Sequence, residues 1–104
     1  MSFVYIKLDK DREFRLSNKA FVIFEQTTGQ KMSQLDFNSL GITDMNHIVY
    51  AGLKSKDNDI TFDQVVDLLD EFGNVDEISK KITEAIDNSS FFSKKNSNKQ
   101  EEKS

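Results

Sequence analysis

The sequence predicts a mainly α (α+β) fold, with an N-terminal β-hairpin packed on a small bundle of about four helices and a disordered C-terminal tail. Three observations carry that prediction. The 104 residues contain no proline and only four isolated glycines, at 29, 41, 52 and 73, so little interrupts helices and a turn-rich β-sandwich is disfavoured. Only the first sixteen residues read as strands. After residue 92 no apolar side chain remains, and such a segment cannot offset its own ordering entropy. The expected division is therefore a single helical domain with its hairpin over 1–92 and a polar tail over 93–104.

The hairpin comes from Phe3-Val4-Tyr5-Ile6-Lys7-Leu8 and Glu13-Phe14-Arg15-Leu16 on either side of the polar four Asp9-Lys10-Asp11-Arg12. The first run is β-branched and aromatic and the second alternates. A lone hairpin is marginal in water, so its apolar face must lie on helices.

Ser17 is placed to cap a helix running to about Thr28, with Ala20, Phe21, Phe24 and Thr28 on one face and Gly29 at the left-handed C-terminal position. A polar stretch, 30–34, leads into a loop or single helical turn over 35–40, closed by Gly41. Thr43 is the next expected cap. Met45, Ile48, Val49, Gly52 and Leu53 then follow at the spacing of a buried stripe. Gly52 costs about 1 kcal/mol relative to Ala inside a helix, so it marks close approach by another backbone. His47 lies one position off the stripe, as a rim histidine with no second His or any Cys to share a metal.

Thr61 and Gln64 form a capping-box pair, followed by Phe62, Val65, Val66, Leu69 and Phe72 and closed by Gly73. Phe21, Phe24, Phe62 and Phe72 are expected in the core. Asp76 caps the last expected helix, with Val75, Ile78, Ile82, Ala85 and Ile86 on one side. Phe91-Phe92 follows its soft end, either folding back on the core or forming an exposed contact pair.

Composition removes several function classes. Without Cys there is no disulfide scaffold, no thiol nucleophile and no Cys-based zinc site. The net charge of −4 disfavours a nucleic-acid-coating role. No run approaches the ~20 apolar residues of a membrane span, and no signal peptide is legible, so the expectation is a soluble intracellular protein with neither nucleic acid nor membrane among its partners. No Gly-rich phosphate loop or nucleophile elbow occurs, so no enzyme and no cofactor is expected.

The charge is unevenly spread. Residues 1–92 carry ten basic and sixteen acidic groups, a net of −6, whereas 93–104 carry four and two, a net of +2. Eight acids and no Lys or Arg fall between 57 and 77. Asp57-Asn58-Asp59 has the look of a calcium loop, but from Asp57 the sixth residue is Phe62, not Gly, and the twelfth is Leu68, not Glu. The acidic stretch then reads either as a solvated face or as a surface attracting a basic partner segment. Candidate contacts are Tyr50, Phe91 and Phe92, with Asp63, Asp67 and Asp70 as an electrostatic rim. An acidic regulatory or ion-binding module is the alternative reading of this region.

Two segments carry a family resemblance: Ile48-Val49-Tyr50-Ala51-Gly52-Leu53-Lys54, and Ile60-Thr61-Phe62-Asp63-Gln64-Val65-Val66-Asp67-Leu68-Leu69-Asp70. Their order after a hairpin and a Gly-ended helix, across roughly residues 1–95, resembles the tail assembly chaperones of long-tailed (siphovirus-type) phages of Gram-positive bacteria. The resemblance implies a non-enzymatic factor of virion morphogenesis. It would bind the tape measure protein, keep it soluble and help recruit the major tail tube protein. It would act in the host bacterial cytoplasm and be absent from the mature virion. The resemblance also implies that a longer frameshifted form can exist, Lys94-Lys95-Asn96 being compatible with an A-rich slippery run. Self-association stays open.

Overall fold

The computed structural model describes residues 4–89. An antiparallel hairpin, β1 (Val4–Lys7) and β2 (Asp11–Phe14), is followed by four helices: α1 (Asn18–Thr28), α2 (Ile42–Lys54), α3 (Phe62–Phe72) and α4 (Val75–Asn88). Residues 93–104, with Phe91 and Phe92, lie outside the described residues.

In the hairpin, Val4 faces Phe14 and Ile6 faces Arg12. Strand alternation turns Val4, Ile6 and Phe14 inward and Tyr5 and Lys7 outward, with Leu8 and Leu16 extending the buried face. The second strand begins at Asp11, two residues before the expected alternation. Arg12 explains this, because its guanidinium donates to both oxygens of Asp9 at 2.9 Å and fastens the tip. That two-point bond holds the Asp9 carboxyl below its ordinary pKa and raises that of Arg12.

Central helix α2 packs on α1, α3, α4 and β2. It buries Met45, Ile48, Val49, Ala51, Gly52 and Leu53. The close approach expected at Gly52 is present, but the neighbour is the Phe14 ring of the hairpin rather than backbone. The chain leaving the hairpin is tied to the same turn of α2. The Arg15 N–H donates to the Gly52 carbonyl at 3.3 Å, and the Ser55 hydroxyl lies 3.3 Å from the Arg15 carbonyl oxygen.

The expected caps divide in two groups. Ser17 accepts from the Ala20 N–H, and Gly29, at φ 76°, sends its N–H to the Glu25 carbonyl. Thr61 and Gln64 form the full reciprocal box, at 3.2 and 2.9 Å. Thr61→Ala should cost about 1 kcal/mol, read as a lower urea midpoint at unchanged slope. Helix α2, however, starts from Gly41, with Thr43 already in its first turn and Asp44 supplying the negative charge there. Helix α4 is capped by Asn74, whose side chain accepts from the Glu77 N–H at 3.1 Å, so Asp76 sits in the first turn as a dipole partner. Between α1 and α2 the chain makes one 3-10 turn, Met32–Gln34, earlier than the loop expected at 35–40, because Met32 is drawn fully into the core.

Two expected core aromatics are not in the core. Phe62 is half-buried and stacks on His47, with centroids 4.4 Å apart, while Phe72 stays 44 % exposed at the end of α3. The reason is the position of α3 at the edge of the bundle. It buries Val65 completely but half-buries Phe62, Val66, Leu68 and Leu69.

Candidate functional site

An edge helix with a broad apolar arc leaves part of that arc uncovered. Apolar residues at 62, 65, 66, 68, 69 and 72 span more of α3 than α2 alone covers. Beyond α3 the chain turns at Gly73-Asn74 into α4, which packs mainly on β1 and α2. The start of α2, the second half of α3 and the start of α4 therefore surround a groove of about 330 Å³. Met45 and Ile78 form its buried floor, and Val66 and Leu69 form one wall. Ile42 and Val75 stand on its rim, 61 % and 55 % exposed.

Two further hollows adjoin the groove. One shares Met45 and Val75 with it and is lined by Phe37 and Leu40, and the other shares Gly73, Asn74 and Ile78 and is lined by Phe72 and Tyr5. Ile42, Val75 and Phe72 are exposed large apolar side chains at these hollows. Exposed apolar side chains that cluster are a mark of contact sites.

Asp63, Asp67 and Asp70 follow at i, i+4 and i+7, so they form one exposed stripe of α3 beside Val66, and Asp70 reaches the groove lining. Among the described residues none of the three aspartates is held in an ion pair. The groove lining contains Asp70 and no Lys or Arg. The α4 side is mixed, with Lys80, Lys81, Glu77, Glu84 and Asp87 lining the two adjoining hollows.

Tyr50 is not brought to this groove. It is half-buried in the seam between α2 and α3, edge-on to Phe62 at 5.7 Å, with the Lys54 ammonium 5.8 Å from its ring centroid. The T-shaped contact and the cation explain the placement without a partner. His47, on the same seam, sits on the rim of α2 as expected. Its Nδ1 lies 2.9 Å from the Thr43 carbonyl oxygen, which requires that nitrogen to carry the proton. Phe91 and Phe92 lie outside the described residues.

The Asp57-Asn58-Asp59 connector is organised around an internal cation. The Lys54 ammonium donates to the Asn58 carbonyl at 2.8 Å and reaches the Ile60 carbonyl at 3.4 Å. One Asp57 oxygen accepts from the Asp59 N–H at 3.1 Å and the other lies 3.6 Å from Arg12. The Asn58 and Ile60 carbonyls and the Asp57 carboxylate are thus engaged within the chain. Among the described residues no group of three or more His, Asp or Glu gathers to hold one. Lys54→Met should cost about 1–2 kcal/mol in urea unfolding, the worth of charge-assisted hydrogen bonds at a partly buried site.

Residues 42, 66, 69 and 75 carried no functional signal in the sequence beyond apolar periodicity. The breadth of the apolar arc on α3 was the one available clue. No helix among the described residues is long and apolar enough to cross a membrane. No protein-family model matches the chain, no curated protein matches its sequence and no solved structure matches its fold.

Proposed function

We propose that this protein is a phage tail assembly chaperone that binds the tape measure protein and keeps it soluble until tail subunits assemble around it. The observation carrying the reading is the open apolar groove between α2, α3 and α4, rimmed by Ile42 and Val75. A long helical ruler exposes apolar stripes before it is enclosed, and such stripes aggregate unless covered. Laying one amphipathic helix in an apolar groove is a recurrent way to cover them. The resemblance of residues 48–54 and 60–70 to the chaperone family supports the same reading. On that resemblance also rests recruitment of the major tail tube protein, in the host bacterial cytoplasm and before the virion is complete.

Co-expression tests this directly. With a long helical tape measure protein from the same genome, the expected result is a several-fold rise in soluble tape measure and its co-purification with this protein. A tape measure equally insoluble with and without it overturns the proposal.

A further inference from the structure

We infer that the groove between α2, α3 and α4 receives a single amphipathic helix with Lys or Arg along the edge that faces α3. This rests on the chaperone reading and adds to it the surface used and the chemistry of the partner segment. Shape sets the first requirement. The floor of Met45 and Ile78, the wall of Val66 and Leu69 and the rim of Ile42 and Val75 suit large apolar side chains recurring along one helix face.

Charge sets the second. The α3 edge bears Asp63, Asp67 and Asp70 in one exposed stripe, while the lining holds no base. Outside the lining, the α4 side mixes Lys80 and Lys81 with Glu77, Glu84 and Asp87 in the adjoining hollows, so the clear preference is at the α3 edge. A cationic edge against α3 gains attraction and faster encounter, and an acidic one is repelled.

The same charges argue against the obvious rival occupants. A second copy docked through this face would bring its own aspartate stripe to the interface. The chain's segment 90–104 combines Phe91-Phe92 with a net charge of +2 over 93–104, but its two acids fall among only four bases. It competes less well than a helix with a uniformly basic edge.

The test uses the full chain and model peptides of about 18 residues, five helical turns. One carries Leu at i, i+3, i+4 and i+7 with Lys elsewhere; the second replaces Lys by Glu; the third scrambles the Leu/Lys order. In methyl NMR the Leu/Lys helix should shift Ile42, Val66, Leu69, Val75 and Ile78. The Leu/Glu and scrambled peptides should bind at least about tenfold more weakly. Ile42→Lys with Val75→Lys should weaken the Leu/Lys peptide about tenfold. Asp63→Asn, Asp67→Asn and Asp70→Asn together should weaken it several-fold and flatten its salt dependence. All five positions are exposed, so the variants should fold, as circular dichroism will check.

Equal binding of the Leu/Glu or scrambled peptide, or shifts centred outside the groove, would overturn the inference. So would dimerisation that shifts the same methyls, which assigns the groove to a second copy. Deletion of 90–104 that alone moves those signals assigns it to the chain's own end and overturns it too. The two readings separate cleanly. If the groove variants hold tape measure as well as the parent, the groove assignment fails and the chaperone reading stands. If the Leu/Lys helix docks but the parent holds no tape measure, the reverse is true.

Discussion

Gly52→Ala should destabilise the protein by about 2 kcal/mol net, the upper end of an overpacking cost less the roughly 1 kcal/mol by which alanine is the better helix former. A Cβ at this position would overlap the ring of Phe14. That ring cannot step aside, since Phe14 is 1 % exposed and belongs to a strand pinned to the same turn of α2 by the Arg15–Gly52 hydrogen bond. Overpacking a filled core costs about 1–3 kcal/mol, and the hairpin would have to lift from α2 to relieve it. For a domain of this size each kcal/mol is worth roughly 4–8 °C in Tm, so a fall of about 8–16 °C is expected by calorimetry. Phe14→Leu alone opens space and is destabilising in its own right. In the double variant the two penalties should partly cancel, giving a coupling energy of at least about 1 kcal/mol. Additive penalties would mean that Gly52 is not there to admit the ring.

The second large effect is functional. If the proposed function holds, Ile42→Lys combined with Val75→Lys should abolish tape measure solubilisation while costing no more than about 1–2 kcal/mol of stability, since each lysine opposes a helix dipole at an exposed first-turn site. Both side chains are more than half exposed, at the first residues of α2 and α4, so a lysine at either site can extend into water. In the proposed complex both become covered, and two ammonium groups would then be desolvated against apolar surface. Co-expression measures the outcome as soluble partner, and a urea midpoint on the isolated variant checks that the fold persists. Solubilisation undiminished in a folded variant would remove the groove from the account.

The elements legible in the sequence are those whose signals are local. Gly29 and the Thr61/Gln64 box each satisfy backbone groups within a few residues, so spacing alone reveals them. The starts of α2 and α4 were less legible, because Thr43 and Asp76 are also good first-turn residues behind Gly41 and Asn74. Phe62 and Phe72 mark a deeper limit. Helical periodicity says which face of α3 is apolar, but not whether neighbouring elements extend far enough to cover it.

The groove suffers from the same limit. Ile42 stands at a helix start ahead of the stripe that opens with Met45, and Val75, although on the apolar side of α4, meets Val66 and Leu69 only once three helices are assembled. Of the candidate contacts drawn from sequence, the aspartates share one stripe beside the groove, whereas Tyr50 is used internally against Phe62 and Lys54. An aromatic at a helix rim has the same sequence pattern whether it meets a partner or the next helix. Gly52 was read correctly as a point of close approach, but sequence could not tell a strand's side chain from a backbone.

Hydrogen exchange on the co-purified complex shows whether this groove covers an apolar helix of the tape measure protein. Relative to the free protein, exchange should slow at the start of α2, through α3 and at the start of α4, with β1, β2 and α1 unchanged. Protection concentrated on the hairpin or α1, with the groove helices exchanging as in the free protein, would contradict it.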